Sequence, residues 1–534
     1  MREQDGRRTQ ASWTRRDVVV RGGLGASALA LGPYLAACGG SDSGTGGSPA
    51  TKAATTPTRG GTVTMGLPIA NLSYNPVTFT AQADYFVAYN VYRGLYKYDT
   101  DKRDYVLDMA ESVDVSSDGR TWTYKLKPGI MFHDGQPLTA ADVKFSVEAK
   151  LDPKNKSSQA SYYPIGLQVK AVDDATVQFV LKEPSALLPS ALAPSSGAIF
   201  AERNFDTLDK TPIGTGPFKF VEFQKGRKTR LERFDDYYVE GQPYLDAVEF
   251  IPLPEGATRV AALQSGQVQL IDSVPFEQIG TLKGNDSIQL FDFPSTWIDF
   301  LMLNCRRPPF NDVKARQAVA YAIDREACAK VASVSTGGPV NTAVSEWAPT
   351  VPEVTPIPFD PEKARSLVQE LGLGDKEYEI IATPAEYPAM GRAAEFIATA
   401  LTEVGMKVKM QGVDVGTWVQ RSIVTPDFDL SYQGLIAGID ADQRTFGFFY
   451  SEGAQNWAGY DGGKEFDALL EAQRAEVDVD KRKALVTQAW EQVTEDVPWY
   501  MPYWLPGAQA GAKNLAGYAY QPEMYPFLET VYLT

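Results

Sequence analysis

Hydrophobic and polar positions change rhythm several times along the 534-residue chain, and each rhythm predicts an element. GGTVTMGL (60–67), bounded by glycine and rich in branched residues, reads as a strand. RTWTYKLKPGIMF (120–132) alternates with a period of two until Pro128–Gly129, and ATVQFVLKEP (175–184) alternates until its proline, the pattern of half-buried strands. Between them TAADVKFSVEAKL (139–151) is helical, with Thr139 at the N-cap and Asp142 in the first turn. Further on, DPEKARSLVQELG (360–372) places Asp360 at an N-cap, Pro361 at the first helical position and Gly372 just past the end. Ala364, Leu367, Val368 and Leu371 then share one apolar face. RAAEFIATALTEVG (392–405) predicts a helix leading through Gly405 into the alternating strand MKVKMQGV (406–413). Helices over 464–476 and 480–495 precede the aromatic stretch VPWYMPYWLP (497–506). Helices and strands mix throughout, which predicts α/β lobes with mixed sheets, and no solenoid period recurs.

The N-terminus follows a different rule. Arg15–Arg16 precede an apolar, Gly-rich run from Gly22 to Ala37. Its 16 residues fall short of the roughly 20 that span a bilayer as a helix. A basic start, a short apolar segment and a small-residue exit describe an export signal. Leu35-Ala36-Ala37-Cys38 is similar to the lipobox of bacterial lipoproteins, and the paired arginines resemble a twin-arginine signal. The resemblance implies cleavage before Cys38 and acylation there; two or more acyl chains make attachment durable. Residues 1–37 are thus expected to be removed, and 38–59 to form a lipidated cysteine on a flexible Gly/Ser/Thr/Pro tether.

Charge narrows the partners. The leader holds six arginines and three acidic residues, so the remaining chain carries a net charge of about −19. A surface this acidic repels phosphate backbones and argues against nucleic acid as a partner. Besides Cys38 only Cys305 and Cys328 are present, too few for a disulfide framework, and Cys328 falls in a helical pattern as a small core residue. His133 is the single histidine, which removes most zinc and copper sites. About 475 residues follow the tether, enough for at least two lobes.

Several long blocks resemble one known family, the family 5 extracytoplasmic solute-binding proteins of peptide and nickel ABC importers. The blocks are VDVSSDGRTWTYKLKPGIMFHDGQPLTAADVKFSVE (113–148), PIGTGPFKFVEFQKGRKTRLERFDDYY (212–238), ATRVAALQSGQVQLID (257–272) and LNCRRPPFNDVKARQAVAYAIDREA (303–327), with GYDGGKEFDALLEAQRAEVD near the end. The resemblance implies a two-lobed, periplasmic-binding-protein-like α/β fold with mixed sheets, a hinge and a subdomain inserted in the first lobe. Lobe I would take 60–97, 206–295 and 506–534, the insert 98–205 and lobe II 296–505, with crossings near PSTWIDF and YWLPG. It also implies a monomer that carries a small organic solute (a peptide or peptide-like compound, an opine or a sugar) to an ABC permease from an extracytoplasmic, lipid-anchored position. A solute-binding protein or sensor not coupled to transport uses the same scaffold.

Chemistry is sparse. FHDG at 132–135 reads as a turn between strand and helix, GTGP at 214–217 lacks the Lys-Ser/Thr of a phosphate loop, and Cys305 has no base near it in sequence. No G-x-S-x-G elbow occurs, so a secreted hydrolase is disfavoured, and neither cofactor nor metal is expected. By the resemblance, the ligand-binding candidates are Asn71, Tyr74 and Asn75 in PIANLSYNP, Tyr162 in QASYYP, Trp297 at the hinge, and Tyr432, Gln433 and Asp440 in DFDLSYQGLIAGIDADQ. Peptide binders of the family carry a tryptophan and then an amine-pairing acid where this chain has Leu435 and Gly438; Asp440 and Asp442 lie just beyond and would substitute if the loop shifts. Ordinary peptides are therefore expected to bind weakly.

Overall fold

A computed structural model describes residues 57–534 apart from 71, 72, 80, 81, 334–337, 340, 341, 386, 437, 438, 454, 523 and 524. The export signal, Cys38, nearly all of the tether, Asn71 and Gly438 lie outside the described residues. Strand β1 (Thr62–Leu67) is followed by the hairpin β2 (Tyr96–Asp99) and β3 (Asp104–Leu107). Next come β4 (Ala110–Val115), β5 (Thr121–Leu126), β6 (Gln168–Asp173) and β7 (Thr176–Val180), which form an antiparallel sheet in the order β4-β5-β7-β6. The chain continues through β8 (Phe218–Gln224), β9 (Lys228–Arg233), β10 (Ala247–Pro252), β11 (Leu270–Ile271) and β12 (Ile288–Leu303). Then follow β13 (Gly338–Pro339), β14 (Glu377–Ala382), β15 (Lys407–Gly412), β16 (Leu430–Ile436), β17 (Trp499–Tyr500) and β18 (Tyr503–Ala512).

A twelve-stranded mixed sheet runs β15-β14-β16-β12-β18-β11-β1-β10-β9-β8, with β13 on β18 and β17 on β12. Its middle is the antiparallel pair β12–β18, matched from Ile288↔Ala512 to Pro294↔Pro506. There the register shifts, and the pairing resumes at Ile298↔Trp504. Proline offers no N–H to a ladder and is tolerated in central strands at such bulges. The break falls between two separate cores. One packs Met65, Phe86, Val248, Phe250 and Leu270 on the β1 side, the other Leu301, Val319, Ile380, Ile397 and Leu430 on the β16 side. These are two lobes joined by two long strands that cross between them, a hinge. The boundaries expected at 295/296 and 505/506 fall inside β12 and β18, the one at 97/98 inside β2, and the one at 205/206 inside the turn Glu202–Thr207.

Local rules explain most elements. Strand β1 begins at Thr62 rather than at Gly60 because Gly60 and Gly61 hold φ of +117° and +86°, outside the strand region. Alternation in β5 buries Trp122, Tyr124 and Leu126 against the helix Ala140–Leu151, which contributes Val143 and Val147 to the inserted subdomain's core. Each such side chain contributes roughly 1.5–3 kcal/mol by leaving water. The Asp142 carboxylate caps that helix by accepting from the Thr139 N–H (2.9 Å) and hydroxyl (2.8 Å). Asp360 accepts from the Lys363 N–H (2.9 Å) to start Pro361–Glu370, and Asp478 does the same for Val479–Asp496, one residue ahead of the expected start. Cys328 is fully buried in the helix Arg325–Ser333, and both Cys305 and Cys328 are free thiols.

Two motifs without catalytic signal prove to be one device. The Gly214 N–H donates to His133 Nδ1 (3.3 Å), and His133 Nε2 bonds the Gly216 carbonyl (3.0 Å), which sets Nε2 as the protonated nitrogen. FHDG and GTGP thus clamp each other, and a Cβ at Gly214 would overlap the Val91 carbonyl.

Candidate functional site

The hairpin β2–β3 builds the wall of a pocket between the lobes. Its sequence YKYDTDKRDYVL alternates, so Tyr98 and Tyr105 stand directly opposite, with ring centroids 5.5 Å apart edge-to-face. Asp99 closes the turn by accepting from the Asp101 and Lys102 N–H groups (3.1 and 3.0 Å). The hairpin reaches the other lobe: Tyr98 donates to the Trp347 carbonyl (2.8 Å), and the Arg103 guanidinium lies 5.0 Å over the Trp347 ring. Trp347 in turn meets Tyr520 edge-on, and the Ala186 N–H donates to the Arg474 carbonyl (3.0 Å), a second crossing between insert and lobe II. These contacts close over a narrow gap of only about 10 Å³, roughly the room of one water molecule. Tyr89 and Phe527 line one side and Tyr98 and Tyr105 another; the turn Ala193–Ser195, Ile439 and Gln521 complete it.

Behind Ile439 sits a closed set of charges. Asp440 takes a forked pair from Arg482 (2.7 and 3.1 Å) and also accepts from the Asp442 N–H (2.8 Å). Asp442 pairs with Arg474 (3.1 Å) and accepts from the Gln473 amide. Burial pushes the Asp442 carboxyl up, with Arg474 opposing. Two acids and two arginines neutralise one another here, and the Asp440 oxygens are committed to protein.

A second polar cluster lies at the pivot. Fully buried Asp299 on β12 accepts from Trp297 Nε1 (3.0 Å), the Tyr432 hydroxyl (3.3 Å) and the Tyr503 hydroxyl (2.5 Å), joining β12, β16 and β18. Burial raises its carboxyl to about 7 despite the three donors. Gly434 makes room for this cluster: a Cβ there would lie 2.5 Å from the Asp299 oxygen and closer still to the Trp297 indole nitrogen.

The residues expected to touch ligand are dispersed. Tyr74 is buried in the first-lobe core, its hydroxyl on Thr229 (2.7 Å), and Asn75 accepts from the Val77 N–H (3.0 Å) in a turn. Tyr162 is half-buried at the end of the turn Ser158–Tyr162. Trp297 and Tyr432 meet around Asp299, while the Gln433 amide reaches Thr383 (3.3 Å). Asp440 is in the charge set, and Leu435 packs half-buried on the second-lobe core. Tyr98, Tyr105 and Gln521, which do line the pocket, were missed. The YKYDTDKRDYVL alternation around a turn could have marked the tyrosines, but nothing local marks a lone glutamine in a loop.

The family described as bacterial extracellular solute-binding proteins, family 5 Middle, matches residues 104–457. The glutathione-binding protein GsiB of Pectobacterium atrosepticum is 29% identical over 460 residues, covering 84% of this chain and 89% of that protein. Among solved structures, the ABC transporter substrate-binding protein CtaP of Listeria monocytogenes superposes with a TM-score of 0.80 at 25% identity, over 89% of this chain and all of that one. The binding protein AgaA of A. tumefaciens R10, in complex with agropinic acid, gives 0.77 at 28% identity, over 89% and 99%. Among the described residues no helix is long and apolar enough to cross a membrane. No group of three or more His, Cys, Asp or Glu among them could hold a metal ion.

Proposed function

The chain belongs to the bacterial extracellular solute-binding proteins of family 5, and on that premise we propose that it is the substrate-binding component of an ABC importer. In this reading residues 1–37 are removed on export and Cys38 carries the lipid that holds the protein at the outer face of the membrane. Lobe I comprises 60–97, 206–295 and 506–534, the insert 98–205 and lobe II 296–505. The protein works as a monomer, closes on a small organic solute, presents it to the permease and catalyses nothing. The relatives' glutathione and agropinic acid keep a peptide-like compound, an opine or a sugar in view as the cargo class. Half-buried Trp297, beside Tyr387 at the pivot, is a proposed contact of a solute that extends beyond the pocket.

The observation that carries this reading is a tyrosine-walled gap whose lining comes from both lobes, while β12 and β18 run through between them. A ligand that contacts both lobes only in the closed state shifts the equilibrium toward closure. Native mass spectrometry of protein purified from its own host tests it. A retained small molecule, released unchanged on denaturation, is the expected result. No retained solute, together with no thermal stabilisation by peptides, opines or sugars, refutes it, as does chemical turnover of the bound compound.

A further inference from the structure

Asp299 is a carboxylate deep in the second lobe with no counter-charge. It is fully buried on β12, and no cation among the described residues pairs with it. Neutral donors serve it instead, and they divide between its two oxygens. Oδ2 accepts from the hydroxyls of Tyr432 on β16 and Tyr503 on β18, both buried in the core of that lobe. Oδ1 accepts from Trp297 Nε1 (3.0 Å). Trp297 is placed differently from the tyrosines. It stands at the bulge of β12, just before pairing with β18 resumes at Ile298, and it is only partly buried. Its ring lies beside that of Tyr387, with centroids 6.1 Å apart and 39° between the planes, and Tyr387 is 39% exposed. Directly across from Asp299 on β16 is Gly434. A Cβ there would come within 2.7 Å of Asp299 Oδ1, Trp297 Nε1 and Met390 Cε, so any larger residue would push the indole off the carboxylate. Burying a carboxylate without a counter-charge is expensive, and such perturbed groups concentrate at functional sites.

We infer that Asp299 is a positioning residue for solute binding: its Oδ1 fixes the edge of the Trp297 indole, so that Trp297 and Tyr387 offer a planar, π-bonded group of the solute a ready-made aromatic surface at the pivot. This rests on the proposed solute-binding role and adds how one of its contacts is held. The division of labour follows from the geometry. One oxygen is committed to the core and does not move, so the other is a fixed point for a side chain that is not itself enclosed. An indole tied at its edge keeps its face in one orientation, and the cost of ordering it is met before the solute arrives. Offset or edge-on stacking on that face then favours flat groups over chair-shaped ones of equal size.

The test uses the full chain grown with isotope-labelled tryptophan. The Trp297 indole N–H signal, assigned by its loss in Trp297→Phe, is followed by NMR across pH and with two neutral probes. One, para-nitrobenzyl alcohol, is flat; the other, cyclohexylmethanol, is not. The signal should move with a midpoint at about 7 as Asp299 ionises. The other titratable groups packed on Asp299 are Tyr432, Tyr503 and Cys328, which burial pushes upward, so they stay protonated there. Asp299→Asn, which keeps an acceptor, should hold the signal in the hydrogen-bonded range and abolish its pH dependence. The flat probe should shift the signal and cyclohexylmethanol should leave it in place. Asp299→Leu should weaken binding of the flat probe roughly ten-fold. Should Asp299→Leu not fold, Gly434→Ala displaces the indole from the opposite strand and is read in the same way. A purely structural Asp299 would alter the melting temperature of the variants yet leave the Trp297 signal flat between about pH 5 and 8. That result overturns the inference, as does an equal response to both probes, no response to the flat one, or unchanged affinity for it in the variants. None of these outcomes touches the transport reading, which the solute retained by host-purified protein decides separately.

Discussion

His133, the chain's single histidine, uses both ring nitrogens for structure, and burial lowers its pKa to about 4. The unfolded chain, with an ordinary histidine near 6.5, therefore binds a proton more readily than the native one. The stability His133 confers is complete above about 6.5 and lost as pH falls toward 4, on the order of 3 kcal/mol. Asp299 has the opposite sign. Its native carboxyl, raised to about 7, holds its proton more tightly than the unfolded one, so its cost is absent at low pH and grows as pH rises from about 4 to 7. Between pH 4.5 and 6.5 the two slopes oppose each other. Urea titrations across that window should show Asp299→Asn gaining stability with pH more steeply than wild type, and His133→Gln less steeply or with reversed slope. Three parallel pH profiles would refute both assignments.

Among elements, the hairpin β2–β3 has the most direct link to function. It belongs to the insert yet bonds the Trp347 carbonyl of the other lobe through Tyr98. Tyr98→Phe keeps the ring against Tyr105 and removes one hydrogen bond, a loss of about 1 kcal/mol. That shifts a two-state open–closed equilibrium about five-fold toward open. Small-angle scattering of the ligand-free variant should give a larger radius of gyration than wild type at unchanged melting temperature, and excess solute should restore the compact value. An identical radius for both proteins without ligand would show that Tyr98 does not hold the lobes together. Helices and strands were legible because their caps and periods are local: Asp360–Pro361 and the alternation of β5 act within a few residues. The pairing of β12 with β18 was not, since its partners are some two hundred residues apart and no local rule links Pro294 to Pro506.

For the whole molecule, the proposed location rests on the leader. If Cys38 is acylated, the wild-type protein incorporates labelled palmitate and partitions into detergent. Cys38→Ala should abolish the label and release or mislocalise the protein. Label retained at the wild-type level in Cys38→Ala would end the lipid-anchor proposal. The acidic surface fits a protein that stays soluble on a tether, since net charge far from zero opposes self-association.

By itself the sequence determined the α/β class, the capped helices, the alternating strands, the turn at FHDG and, through long blocks, the family, because each depends on spacing within a short window. Tertiary structure alone decided the site. It turned Asp440 onto Arg482, buried Tyr74 and Tyr432 in cores, and brought Tyr98, Ser195, Ile439 and Gln521 around one pocket. Those residues come from four separate parts of the chain and carry no shared pattern; only the tertiary packing of the lobes makes them neighbours, because no spacing rule acts across such separations.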